Sequence, residues 1–385
     1  VHGDYHATDP NTDTNALQLL FLRLNNGDPL PGYDAIPFNR TLAYQNSADL
    51  FTSELQHIWK LEDFTTVAGV RYQYGTLETQ SLLTDASGLP FFPPIIYGDV
   101  LADQSIDSTF QRISAYAYEH WNATDWLALV GGIAYDQVHF PQNHRASPIN
   151  DVEESKDQVS PKAGFILTPL RDTTLRASYT RSLGGLSYDQ SFRLEPTQVA
   201  GFVQSYRSVI PESVVGSLPV PEFQTAGVLL DHRFPTRTYA AVGVDWIKSS
   251  TRQVAGAFDS YFAQPIVPTS VANDIDYEER DLTLTVNQLL GACWSVGLSY
   301  RYSQSELDQS FDTPLLASGA AEATLHAVDC FVLMNLPWGG FAEAQARWRS
   351  QSNGGTDADL PGDSFLQVNL FAGYRFLHRR AEVRV

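Results

Sequence analysis

Cysteine, methionine and lysine are scarce in this chain. Its 385 residues include two cysteines, one methionine and, among 25 basic residues, only four lysines. Two cysteines are too few for a disulfide scaffold or for a zinc knuckle built from cysteine pairs. The alternation described below places Cys293 and Cys330 on opposite faces of adjacent strands, which argues against a disulfide between them.

Long apolar runs and an excess of basic charge are also missing. Acidic residues number 44, so the formal net charge is −19. This excludes the basic surface that nucleic-acid binding needs. No stretch approaches the roughly 18 to 20 apolar residues of a membrane helix, which excludes an α-helical membrane protein. A membrane protein built from strands is still possible, because its signal is weaker in each segment.

Period-two alternation is the strongest pattern that is present. In residues 293–303, Trp294, Val296, Leu298 and Tyr300 share one face, and small or polar residues share the other. Such patterns predict β-strands. Most of them are longer than the roughly five or six residues of a soluble strand and match the roughly 9 to 11 of a membrane strand. The predicted strands, about fifteen, are 14–24, 48–60, 64–78, 108–121, 126–140, 159–168, 173–182, 222–234, 238–254, 278–289, 293–306, 322–336, 340–351, 364–376 and 380–385.

The predicted connections alternate between short and long. The short ones are 61–63, 122–125, 170–172, 235–237, 290–292, 337–339 and 377–379, and the intervening ones run to about forty residues. Short turns at one end and long loops at the other are typical of an outer-membrane β-barrel. A soluble β-sandwich has no reason to keep its tight turns on one side, although it stays open as the alternative reading.

In a wide membrane barrel, the apolar faces of the strands are expected to meet lipid and the polar faces to line a wet lumen. Tryptophan and phenylalanine near the strand ends fit interfacial girdles. A lumenal arginine cluster could receive plug carboxylates or an anionic ligand, because the guanidinium fork pairs such groups bidentately. The alternative is that this is the ordinary charge of such a lumen. The lumen-facing candidates are Arg71, Arg176, Asp245, Arg301, Glu343, Arg347, Arg349 and Arg375.

The longest predicted connection, residues 182–221, combines aromatic residues with arginine. Exposed loops of this composition capture ligands, and packing of the loop against itself is the alternative. The candidate ligand-binding residues are Tyr188, Phe192, Arg193, Phe202, Tyr206 and Arg207.

No pattern supports a metal site, a cofactor or catalysis. His2-x-Asp4-x-His6 is interpreted as a frayed terminus, and the acidic runs around 151–157 and 274–279 as solvated loop faces without calcium-loop spacing. Nucleophile elbows, paired catalytic carboxylates and phosphate loops are not recognisable. The sequence therefore predicts a protein that is not an enzyme and carries neither a metal nor a cofactor. An outer-membrane protease or lipase is the minor alternative.

Several short sequence motifs resemble those of a known protein family. The first motif is Ser160-Pro161-Lys162-Ala163-Gly164-Phe165, which precedes a tight turn. The second is Leu175-Arg176-Ala177-Ser178-Tyr179-Thr180-Arg181, and Leu194-Glu195-Pro196 follows it. This succession resembles the barrel of TonB-dependent receptors, and residues 365–376 with 381–385 resemble the family's strands before the closing one.

The resemblance implies an all-β, transmembrane, antiparallel up-and-down β-barrel. Residues 1–385 are expected to be a barrel fragment with about fifteen of 22 strands, the plug domain, first strands and closing strand lying outside it. The expected partners are outer-membrane lipid, the protein's own plug domain, the TonB energy-transducing protein and a small ligand of the siderophore, cobalamin or glycan class. The expected location is the cell outer membrane of a Gram-negative-type bacterium. A non-transporting barrel that acts as an adhesin or display scaffold is the alternative, and a soluble all-β binding protein is a third possibility.

Overall fold

The computed structural model of the chain describes residues 2–8, 13–31, 35–85, 100–185, 193–207, 210, 219–261, 266–355, 361–376 and 381–384. Its regular elements there are all β-strands. Within these ranges there is no helix with the length and apolar character needed to cross a membrane. The strands are β1 His2–Thr8, β2 Asp13–Arg23, β3 Ile36–Lys60, β4 Phe64–Asp85, β5 Val100–Thr124, β6 Leu127–Pro141, β7 Glu153–Leu170, β8 Thr173–Leu183, β9 Gln198–Val199, β10 Phe202–Val203, β11 Glu222–Arg233, β12 Thr238–Tyr261, β13 Val267–Leu290, β14 Trp294–Phe311, β15 Gly319–Asn335, β16 Gly340–Gly355, β17 Asp363–Phe376 and β18 Ala381–Arg384.

One large sheet contains sixteen of the described strands, and β9 and β10 form a separate hairpin. From β3 onward, each strand of the large sheet pairs with the next one along the chain, and these pairs are antiparallel. β2 pairs antiparallel with β3 and, over four residues, parallel with β12. The predicted all-β, antiparallel up-and-down architecture is confirmed. The sheet forms part of a barrel wall, as expected.

The sheet differs from the prediction in the pairing of its first strand and in the length of several strands. For example, β5 begins at Val100 rather than 108 and β13 at Val267 rather than 278. β1 pairs with β3 in the register His2↔Phe51, whereas the sequence analysis interpreted this stretch as a frayed terminus. β3 begins at Ile36, twelve residues before its predicted start at 48. The prediction relied on a strict apolar alternation, and that pattern is lost where a strand extends beyond the membrane band and neither face needs to be apolar.

The two faces of the sheet differ in exposure and chemistry. On β3 and β4, Leu55 is 72% and Val70 54% exposed, whereas Arg71 is 3% exposed. On β14, Trp294 and Leu298 are exposed, while Arg301 lies on the opposite face with Asp281. We call the apolar, exposed face the outer face and the polar one the inner face. An exposed apolar band of this extent marks a surface that contacts lipid or a partner rather than water.

Candidate functional site on the inner face

The inner face is covered in one region by part of the connection between β8 and β11. Residues 193–207, which we call the inner segment, lie against β3, β5, β7 and β11. Their contacts begin at Glu54, whose carboxylate accepts the backbone N–H groups of Leu194 at 2.8 Å and Glu195 at 3.1 Å. The same carboxylate accepts the Tyr116 hydroxyl at 2.8 Å, and the Gln56 amide donates to the Leu194 carbonyl at 2.6 Å. Charge-assisted bonds of this kind are the stronger class of hydrogen bond, so Glu54 holds the segment firmly.

A second set of polar contacts surrounds Tyr118. Its hydroxyl donates to Glu195 at 2.7 Å and accepts the Gln204 amide at 3.1 Å. Arg193 bonds to Glu195 at 3.3 Å, and its guanidinium lies 3.8 Å from the centre of the Tyr206 ring. Burial, with a further contribution from the Glu195 charge, raises the pKa of Tyr206. Most polar groups of this buried network have partners, whereas Gln204 Oε1 and the Tyr206 hydroxyl are buried without a hydrogen bond.

The β9–β10 hairpin carries the apolar part of the inner segment. Ala200 and Gly201 both have positive φ, at 49° and 92°, as the central residues of a type I′ turn do. Val199 and Ala200 are buried against Tyr116 and Tyr118.

Two inner-face glycines allow the hairpin to approach the sheet. A Cβ atom on Gly164 would lie 2.8 Å from the Cβ of Ala200, and one on Gly227 would lie 2.3 Å from the Phe202 ring. The sheet therefore has gaps where the hairpin docks, and larger side chains at these two positions would displace it.

A buried ion pair lies beside the inner segment. Arg112 and Asp136 meet at 2.8 Å with side chains only 1% and 7% exposed. Arg112 also donates to the carbonyls of Leu183 at 2.9 Å and Gly184 at 3.2 Å, which are the first residues of the connection. Lys162 donates to the Arg181 carbonyl at 2.8 Å. These bonds attach the base of the connection to the inner face.

The eight predicted lumen-facing residues all lie on the inner face, but they do not form one arginine cluster. Most pair with a carboxylate on the same or an adjacent strand, so the charges alternate across the sheet. The ion pairs are Arg176–Asp231 at 3.7 Å, Arg301–Glu279 at 2.9 Å, Arg301–Asp281, Arg347–Asp329 at 3.5 Å, Arg349–Asp329 at 2.8 Å, Arg375–Glu382 at 2.9 Å and Arg384–Glu343 at 3.5 Å. Arg71 is buried near Asp136, and Asp245 faces Gly227.

The predicted ligand-binding residues were expected on an exposed loop, but several of those that the structure describes make contacts on the inner face. Tyr188 and Phe192 lie outside the described residues. Arg193 and Tyr206 stack on each other, Phe202 packs over Gly227, and Arg207 is exposed. Glu54, Tyr118 and Gln204 were not predicted from the sequence. The useful signal was Leu194-Glu195-Pro196, a motif that served only for the family resemblance.

A cavity of about 300 Å³ opens on the inner face at the edge of the inner segment. Phe202, Asp245, Asp281 and Arg301 contribute to its lining. It combines an aromatic edge with two carboxylates and a guanidinium, which suits a polar ligand with hydrogen-bonding groups. Within the described residues, no group of three or more His, Cys, Asp or Glu side chains is arranged to hold a metal ion.

Comparison with known proteins agrees with this architecture. The sequence profile described as TonB dependent receptor-like, beta-barrel matches residues 2–206, which is more than half of the 385 residues. The chain belongs to the TonB-dependent receptor family. This is a family of outer-membrane transporters, as the sequence resemblance predicted. No curated protein sequence matches the chain.

A solved structure shows a similar fold. The copper transporter OprC aligns over 89% of this chain and 49% of its own, at 15% identity and with a TM-score of 0.50. The ferripyoverdine receptor of the Pseudomonas aeruginosa outer membrane aligns over 95% of this chain and 52% of its own, at 12% identity and with a TM-score of 0.41. The chain thus spans about half the length of these structures.

Proposed function

We propose that this TonB-dependent receptor chain forms part of the membrane-spanning wall of an outer-membrane uptake receptor, and that its ligand passes along the inner face. The observation that carries the proposal is the division of one sheet into an exposed apolar face and a charged inner face. Only a sheet that separates lipid from a polar interior needs that division. Family membership supports transport rather than catalysis.

The proposal extends to the rest of the protein. Residues 1–385 contribute a fragment of the barrel, and further strands and a plug domain complete it. The protein resides in the outer membrane of a Gram-negative-type bacterium and draws energy through TonB, as the family does. The ligand is a siderophore, a cobalamin or a glycan.

The cavity beside the inner segment is the proposed contact point for the ligand. Arg301 is half exposed there and stands between Asp281 and Glu279, so its guanidinium can exchange a protein carboxylate for a ligand group. Phe202 of the inner segment lines this cavity. Arg193, Tyr206 and Arg207 belong to the same segment and are proposed as ligand residues on that ground. Tyr188 and Phe192 belong to the same connection and are proposed as ligand residues on the sequence pattern alone.

Uptake assays test the proposal. Cells that lack the gene should lose uptake of one labelled ligand of the three classes, and cells that lack TonB should lose it too. Arg301→Gln should reduce uptake, while Arg233→Gln at the short-turn end should not. If the deletion strain imports all three ligand classes normally but loses attachment to surfaces, the protein is an adhesin and the transport proposal fails.

A further inference from the structure

The inner face has another cavity, of about 270 Å³, on strands β13 to β16. Asn287, Gly297, Phe331 and Gln345 pair across these four strands and form one row of the cavity floor. We call the cavity beside the inner segment the first site and this one the second site. The inner-face side chains that line the second site include Asn287, Asp329, Phe331, Glu343, Gln345 and Arg347.

The two sites are built from the same kinds of side chain. In each, an aromatic ring lies over an inner-face glycine: Phe202 covers Gly227, and Phe331 covers Gly297, where an added Cβ atom would collide with the ring. Each site also has two carboxylates and a guanidinium. These groups belong to Asp245, Asp281 and Arg301 in the first site and to Asp329, Glu343 and Arg347 in the second. The same ligand chemistry therefore fits both.

The two sites lie at different depths along the sheet. Asp281 of the first site and Asn287 of the second belong to the same strand, β13, and both lie on its inner face. Counted from the short-turn end of that strand, Asn287 is the fourth residue and Asp281 the tenth. At about 3.3 Å per residue, the sites are about 20 Å apart along the strand. A ligand that moves along the inner face from the long connections meets the first site and then the second.

The charged groups of both sites can exchange a protein partner for a ligand group. Arg301 is 48% exposed and Arg347 51%, and Asp329, the partner of Arg347, is 43% exposed. Ion pairs between accessible groups contribute little to stability, so a ligand hydroxyl can replace one partner at little cost.

The surrounding charge differs in sign between the two sites. The carboxylates around Arg301 at the first site are those of Asp245, Glu279 and Asp281. The guanidinium groups around Asp329 and Glu343 at the second site are those of Arg347, Arg349 and Arg384. An anion is repelled by the excess of carboxylates at the first site, and a cation by the excess of guanidinium groups at the second. A ligand that uses both sites is therefore uncharged and offers both hydrogen-bond donors and acceptors.

We propose that the second site binds the transported ligand after the first, and that this ligand is an uncharged oligosaccharide. Each sugar hydroxyl both donates and accepts a hydrogen bond, so it can bridge a guanidinium and a carboxylate. The C–H groups on the face of a sugar ring pack against the negative face of an aromatic ring, which Phe202 and Phe331 supply. The inference rests on the proposed function, to which it adds a binding site and a ligand class.

Isothermal titration calorimetry tests binding of maltohexaose, cellohexaose, xylohexaose and mannohexaose to the full-length protein. The detergent must have no sugar headgroup, because such a headgroup would compete. Phe331→Ala/Arg347→Gln should weaken binding of the tightest hexasaccharide at least about fivefold, since a stacking contact and a hydrogen bond each contribute roughly two- to tenfold. The matched control, Arg233→Gln/Phe365→Ala, changes the same residue types outside both cavities and should bind like the wild type. Heat-modifiable migration on a gel verifies that each variant is folded.

Two charged hexasaccharides test the argument from charge. Hexagalacturonate, an anion, and the protonated glucosamine hexamer, a cation, should each bind several-fold more weakly than the tightest uncharged one. The proposal is overturned if a charged chain binds most tightly, if none of the four uncharged chains binds, or if the second-site variant and its control bind alike. Binding of cobalamin or a ferric siderophore in place of a sugar overturns this inference and leaves the uptake proposal standing. Extraction of the protein without detergent would instead contradict the proposed function itself.

Discussion

The inner face has two regions with different environments. In the covered half, which comprises β3 to β8 and β11, the inner segment lies over part of the sheet, and the Arg112–Asp136 pair beside it is buried. In the open half, from β12 to β17, the inner face carries ion pairs that stay accessible, and Arg347 and Asp329 are 51% and 43% exposed. The same kinds of residue thus stabilise the fold in one half and remain available for exchange in the other.

This difference indicates where a transported ligand or a plug domain can act on the chain. In the covered half, Glu54 and Arg112 are committed to the attachment of the connection between β8 and β11. Charges in the open half are screened by water and can exchange partners at little cost. We therefore expect substitutions in the covered half to change stability and substitutions in the open half to change uptake.

Replacement of one arginine should produce the largest difference in unfolding free energy between the two halves. Arg112→Leu leaves Asp136 buried without its main partner, which costs about 3 to 5 kcal/mol of unfolding free energy. Arg347→Leu in the open half should cost less than about 1 kcal/mol. Urea unfolding of the protein in detergent micelles, followed by tryptophan fluorescence, measures both. The double variant Arg112→Leu/Asp136→Leu should recover part of the loss, and equal effects in the two halves would remove the distinction.

The docking of the inner segment should depend on Gly227. In Gly227→Val the new side chain collides with Phe202, so the hairpin should leave the inner face at a cost of about 1 to 3 kcal/mol. A cysteine at position 199, introduced after Cys293 and Cys330 are changed to serine, reports this movement. It should resist a thiol reagent when Gly227 is present, because Val199 is fully buried, and should react readily in Gly227→Val. Gly243→Ala is the control, since its nearest neighbour is a flexible leucine end at 3.3 Å.

The sequence predicted the parts of the fold that depend on local pattern. Trp294, Leu298 and Arg301 lie on the predicted faces because alternation along a strand decides its sidedness without reference to distant residues. The covering of the inner face was not predictable in this way. Glu54 and Leu194 are 140 residues apart in the chain, and their bond depends on the curvature of five intervening strands. Composition suggested an exposed ligand-capture loop, and composition does not reveal on which side of a sheet a loop folds.

A pH-dependent loss of stability should come from the rim of the covered half. His144, in the connection between β6 and β7, is 7% exposed, and burial with a contribution from Arg145 lowers the pKa of its imidazole to about 3. Because the folded pKa lies below the ordinary value, the stabilisation is complete above about pH 6.5 and is lost as the pH falls from there toward 3. At pH 5 the loss should be about 2 kcal/mol.

Unfolding midpoints at pH 7 and pH 5 check this expectation. His144→Gln should flatten the difference between the two pH values, while His326→Gln on the outer face of β15 should leave it unchanged. A wild-type midpoint that is the same at both pH values would show that the imidazole can reach water without unfolding.

The smallest predicted effect is the salt dependence of an exposed ion pair. It distinguishes the two halves by the mechanism of their stabilisation rather than by its magnitude. Arg349 donates to both carboxylate oxygens of Asp329, at 3.0 and 2.8 Å, yet that carboxylate is 43% exposed. Arg349→Gln should therefore cost less than about 1 kcal/mol at low ionic strength, and most of this cost should vanish in 1 M NaCl, where the Debye length is only about 3 Å. The cost of Arg112→Leu should persist in the same salt, because the Arg112–Asp136 pair is almost fully buried. If salt reduced both costs equally, water and ions would have free access to this pair, and the covered half would not be closed to solvent.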